Sequence, residues 1–148
     1  MTERNTPDGL RYDTDVRVRW SDLDAFGHVN NARTLTLLEE ARVDWLFVAA
    51  KNHGVGRLTE GIVVARVAVD YRRAIGFGSP VTVSMAVSAL GSASFTVDYR
   101  VEAPAGRAVD ASTVLVPVDP ATFRPRRLDA AERAYLGRFA VTPRKERV

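Results

Sequence analysis

The stretch from Trp20 to Leu46, WSDLDAFGHVNNARTLTLLEEARVDWL, constrains the fold more than any other part of the chain. It opens with Asp22, Asp24, Gly27, one of the two histidines, His28, and the pair Asn30-Asn31, then turns apolar. From Asn31 to about Lys51, Leu35, Leu38, Ala41, Trp45, Leu46, Val48 and Ala49 recur mainly at helical steps, so they share one face. Leu37, Val43 and Phe47 widen that face, as expected of a helix wrapped by other elements. At about 1.5 Å per residue the rod is roughly 30 Å long. Asn30 suits its N-cap, and Gly54, after Asn52-His53, suits a left-handed stop. A helix this apolar has to be covered, and the rest of the chain must supply the cover.

What remains reads mostly as strands. Asp13 to Trp20 alternates, with Val16, Val18 and Trp20 facing one way and Arg17 and Arg19 the other. Gly61 to Ile75 is rich in valine, and Ile75-Gly76-Phe77-Gly78-Ser79-Pro80 is a turn. Val81, Val83, Met85 and Val87 alternate with small polar residues; Phe95, Val97, Tyr99 and Val101 alternate with charged ones. Ala108 to Val118 is β-branched, and Gly91-Ser92 and Pro104-Ala105-Gly106 mark the turns on either side of the run from Phe95. Short turns make antiparallel neighbours. Asp129 followed by Glu132 resembles a capping box, predicting a short C-terminal helix to about Phe139. The fold class is therefore α+β: an antiparallel five-stranded sheet, a long central helix and a short C-terminal helix. One domain over residues 12–140 is expected, with flexible ends at 1–11 and 141–148.

The loop before the helix is the candidate site. Peptide N–H groups are unpaired at a helix N-terminus, and the dipole there is positive. Asp24, just ahead of it, has two readings: a turn or cap residue, or a carboxylate acting as base or nucleophile. Asp22, nearer the strand end, reads as structural. Glu39 and Glu40 lie further along the helix, where Glu39 can pair with Arg42.

Composition narrows the chemistry. The absence of cysteine excludes disulfides, thiolate metal sites and a cysteine nucleophile. His28 and His53, separated by a helix, do not make a zinc site, so no metal is expected. Asp22, Asp24 and Gly27 mimic the start of a calcium loop, but its twelfth position would be Arg33 instead of a glutamate. Gly-x-Ser-x-Gly is absent. The net charge of +3 and pI of about 9.7 fit an anionic ligand. Much of the excess lies in a C-terminal run, Arg124, Arg126, Arg127, Arg133, Arg138, Arg144, Lys145 and Arg147, which reads as a solvated tail. The basic residues are not interleaved with aromatics, so nucleic acid is not the expected partner. No apolar run approaches the roughly 20 residues of a membrane span, and MTERNTPDGL holds no signal segment. A cytoplasmic protein is expected.

Asp22-Leu-Asp-Ala-Phe-Gly-His-Val-Asn-Asn31 resembles the signature of the hydroxybenzoyl-CoA thioesterase-like branch of acyl-CoA thioesterases. Leu38-Glu-Glu-Ala-Arg42, Asp70 to Val81 and Leu128-Asp129 are similar to further segments of that family, extending the resemblance over about 120 of the 148 residues. The resemblance implies the hotdog fold, in which a sheet wraps a central helix. It implies hydrolysis of an acyl-CoA to free acid and CoA, with no cofactor. Asp24 matches the family's catalytic aspartate, the Asn31 N–H would polarise the thioester carbonyl, and His28 would assist. Phe26, Gly27 and Val29 would meet the acyl group, and Arg72 and Arg73 the CoA phosphates. A homodimer or homotetramer is implied. Two alternatives stay open: an inactive hotdog protein that binds acyl-CoA, and an acyl-carrier-protein thioesterase. Against the latter, plant-type enzymes carry a polar residue where this chain has Phe26.

Overall fold

A computed structural model describes residues 2–143. Thr2–Thr6 (β1) and Gly9–Val16 (β2) form a hairpin, followed by a short 3₁₀ turn at Trp20–Asp22. The long helix starts at Asn31–Val43 (α1), passes through a π-helical segment at Asp44–Ala49 and ends at Ala50–Asn52 (α2). The strands Ile62–Tyr71 (β3), Val81–Leu90 (β4), Phe95–Ala103 (β5) and Gly106–Pro117 (β6) follow, then the helix Ala130–Gly137 (α3). All pairings between named strands are antiparallel, in one six-stranded sheet ordered β1-β2-β4-β5-β6-β3.

The core lies between helix and sheet. Leu37, Leu38, Ala41, Trp45, Leu46 and Ala50 are buried against Val83, Met85, Val97, Tyr99, Val109 and Leu115. Trp45 is central: it stacks on Tyr12 and meets Phe139 edge-on, with ring centroids 6.2 and 5.1 Å away. The helix covers only part of the sheet. Leu35, Val43 and Val48, expected on its apolar face, stay exposed, as do Val64 and Val67 on the edge strand β3. A groove is left between them. The expected punctuation is present: Gly54 has φ +82°, and Asp129 and Glu132 form the capping box that opens α3.

Two expectations need correction. The sheet has six strands, because residues 2–6 pair with β2. Their sequence is polar, which reads as a frayed end. Instead Arg4 pairs with Asp13, and Arg11 is buried with its guanidinium on Ser84 and Asp98. Nor does the strand reach Trp20. β2 ends at Val16, and the buried Asp22 carboxylate accepts the Arg19 N–H at 2.8 Å, closing a turn that leaves Trp20 76% exposed. Of the tail expected to be flexible at 141–148, the Val141 N–H donates to the Val87 carbonyl at 2.8 Å, and 144–148 lie outside the described residues. No helix among the described residues is long and apolar enough to cross a membrane.

Candidate active site

The loop from Asp22 to Asn31 is held by its own backbone. Leu23 and Val29 bridge antiparallel, Asp24 N–H donates to the His28 carbonyl at 2.8 Å, and Asn30 N–H donates to the Asp22 carbonyl at 2.9 Å. Gly27, at φ +77°, turns the loop in a conformation that disfavours a side chain. The Val29 N–H donates to the Ile75 carbonyl at 2.8 Å, anchoring the loop to the segment after β3.

These contacts set the first helical turn. Asn30 is the N-cap, with its side-chain oxygen accepting the Ala32 N–H at 2.8 Å. The Thr34 N–H goes to the Asn30 carbonyl. The Asn31 N–H, at the first helical position, has no intrahelical acceptor and sits at the positive end of the dipole.

Asp24 is held from one side only. Its Oδ1 accepts the Phe26 N–H at 2.9 Å and the His28 N–H at 3.4 Å. Among the described residues its Oδ2 has no hydrogen-bond partner. The turn-forming role read from the sequence is therefore real, yet it leaves one carboxylate oxygen open.

A cavity of about 330 Å³ opens here. Seven of the eight sequence-predicted site residues line it: Asp24, Phe26, His28, Val29, Asn31, Arg72 and Arg73. Gly27 does not; it shapes the loop. Phe26 is 85% exposed, so it stands at the mouth. The two arginines differ. Arg72 is tied to the buried Asp110 carboxylate, whose other oxygen takes Arg107 at 3.1 Å. Arg73 is exposed, lies over Gly106 and has no ion pair among the described residues. Glu39 is outside this cavity, paired loosely with Arg42 at 3.8 Å, and Asp22 is buried in its turn role.

Sequence reasoning missed Thr34, Tyr71, Ala74, Ile75 and Val109, which also line the cavity. Tyr71 is the one with chemistry, since its hydroxyl donates to the Asn31 carbonyl at 2.7 Å. Only the pairing of β3 with β6 brings it there, although an aromatic hydroxyl beside two arginines was a usable signal. Among the described residues, no three His, Cys, Asp or Glu side chains gather as a metal site would need.

Residues 18–136 match the model of the thioesterase-like superfamily. The chain belongs to that superfamily. A long-chain acyl-CoA thioesterase, FadM of Escherichia coli strain K12, is 30% identical over 125 residues, spanning 83% of this chain and 95% of that protein. A thioesterase of Thermus thermophilus, solved with coenzyme A and Zn, superposes with a TM-score of 0.71 at 35% identity, covering 84% of this chain and 90% of its own. A predicted thioesterase from Bacillus stearothermophilus has the same fold, with a TM-score of 0.76 at 24% identity over 90% of this chain and 98% of its own. The hotdog thioesterase expected from the loop motif is thus the family found, with one strand more than expected.

Proposed function

We propose that this protein hydrolyses the thioester of an acyl-CoA, with Asp24 delivering the nucleophile and the Asn31 N–H receiving the oxyanion. One observation carries the reading: a carboxylate with a free Oδ2 and a helix N-terminus with a free N–H line the same cavity. The thioester carbonyl oxygen would lie at the Asn31 N–H. Asp24 would take a proton from water as the water oxygen attacks carbon. The C–S bond then breaks, and the CoA thiolate recovers that proton. Direct attack by Oδ2, through a mixed anhydride later opened by water, uses the same geometry. After one turnover in heavy-oxygen water, label in Asp24 identifies the second route, with water opening the anhydride at the Asp24 carboxyl carbon. His28, on the cavity wall, assists in placing the substrate. Phe26 and Val29 contact the acyl group near the thioester.

For the nucleotide end, Arg73 is the better phosphate ligand, because Arg72 already donates through Nε to the buried Asp110 carboxylate. Arg72 then positions the strand end. β3 is the outer strand of the sheet, and its free backbone edge supports pairing with a second copy, giving a homodimer or a tetramer of such dimers. The cysteine-free composition suits the cytoplasm.

Release of free thiol from a panel of short, long and aromatic acyl-CoAs tests the activity. Release from at least one class is expected. Binding of acyl-CoA without release would favour a sensor or scaffold, and release only from acyl-carrier-protein substrates would favour the carrier-protein reading.

A further inference from the structure

The long helix has a second cavity beside it, of about 240 Å³, lined by Glu39, Arg42, Leu46, Phe47, Val64 and Leu115 among others. No described residue lines both cavities, but each lies against the long helix and the β3–β6 pair. In the β3–β6 register, Tyr71 stands opposite Val109 at the first cavity. Val69 then faces Ala111, Val67 faces Thr113, and Val64 faces Leu115 at the second. The rows between are not roofed: Leu35 and Val67 are 39% and 42% exposed. A seam of mostly apolar side chains therefore links the reaction centre to the second cavity. From Asn31 to Arg42 the helix advances about 16 Å at about 1.5 Å per residue. A zigzag chain with carbon–carbon bonds of about 1.5 Å covers that with on the order of a dozen carbons.

Arg42 is the misfit in this seam. Its side chain is only 13% exposed, and its nearest carboxylate, Glu39 at 3.8 Å, is 68% exposed and too far for a hydrogen bond. Nη1 donates to the Tyr99 hydroxyl at 3.2 Å, and that hydroxyl shares a buried 2.8 Å hydrogen bond with Thr113 Oγ1. Tyr99 and Thr113 thereby hold the guanidinium in place. Its remaining donors make no hydrogen bond among the described residues, and none of those nitrogens is sealed from access.

We propose that the seam seats the acyl group and that Arg42 selects chains bearing an oxygen acceptor about a dozen carbons from the thioester. The inference rests on the acyl-CoA reading above. A saturated chain packed on Arg42 strips its water and supplies no acceptor, which is costly for a charged donor. A distal hydroxyl or carboxylate supplies a charge-assisted bond at the same place. Hydrogen bonds to charged groups of this kind correspond to about a tenfold to hundredfold preference.

The test compares kcat/KM of the wild-type protein on dodecanoyl-CoA, on the same chain hydroxylated at its terminal carbon, and on the same chain hydroxylated midway. The terminal hydroxyl is expected to raise kcat/KM about tenfold or more, the midway hydroxyl not at all, and Arg42→Met is expected to erase the preference. Equal rates on the plain and terminally hydroxylated chains overturn the proposal without needing any variant. So does a preference that survives in Arg42→Met. Thiol release from none of the three, nor from short or aromatic acyl-CoAs, contradicts the acyl-CoA reading itself and removes the basis of this inference.

Discussion

The Tyr71 hydroxyl donates to the Asn31 carbonyl at 2.7 Å, tying the edge strand β3 to the first turn of the helix. The Asn31 carbonyl is thus held, one Cα away from the N–H assigned to the oxyanion. Tyr71 is 48% exposed, so its hydrogen bond contributes little to global stability. Tyr71→Phe is expected to change unfolding free energy by about 1 kcal/mol or less. It should lower kcat about threefold to tenfold with little change in KM, because it disturbs an interaction made mainly in the transition state. Steady-state kinetics beside a denaturant titration checks both.

Gly27 has φ +77°, yet nothing lies within 4 Å of where a Cβ would stand. The obstacle to a side chain there is conformational, not steric crowding. Gly27→Ala should therefore destabilise by about 1–2 kcal/mol, and Gly27→Asn by less, since asparagine tolerates the left-handed region. Both variants should lose more activity than stability, because Asp24 and His28 flank the turn. Equal stability of Gly27→Ala and wild type would contradict the argument.

Arg72 and Arg73 are adjacent but should fail differently. Arg72→Ala removes one of the arginines that meet the buried Asp110 carboxylate, and a loss of about 1–3 kcal/mol is expected. Arg73→Ala should leave the melting temperature unchanged and raise KM for acyl-CoA, with a weaker dependence on salt. Melting curves and KM at two ionic strengths separate the two roles.

Alkaline stability should follow the buried tyrosines. Burial pushes the Tyr135 hydroxyl up to about 12 from its ordinary 10.0, and burial raises Tyr12 and Tyr99 as well. A pKa raised on folding stabilises fully below the unfolded value and ceases to do so as pH passes the folded one. Stability should thus decline from about pH 10 toward pH 12, in step with tyrosinate absorbance. Tyr135→Phe should flatten part of that decline.

Much of this was legible beforehand because it is local. The loop motif, the Asn30 cap, the Gly54 stop and the box at Asp129 and Glu132 each depend on residues a few positions apart. What was illegible depends on distant pairing. β1 is polar, and its place in the sheet rests on cross-strand partners such as Arg4 with Asp13. Trp20 continues an alternating pattern, but the strand stops because Asp22 is buried and caps Arg19. Tyr71 and Val109 reach the site only through the β3–β6 register, and Arg72 is drawn away from substrate by Asp110, which is far off in sequence.

Asp24→Asn is the most direct probe of the central claim. Asparagine keeps an oxygen to accept the Phe26 and His28 N–H groups, so the loop should hold its shape. It removes the charge needed to deprotonate water or to attack carbon. Thiol release from the best acyl-CoA of the panel should fall by about a hundredfold to ten-thousandfold, with KM and melting temperature nearly unchanged. Activity within about threefold of wild type, in a protein shown to be folded, would contradict the assignment of Asp24 as base or nucleophile.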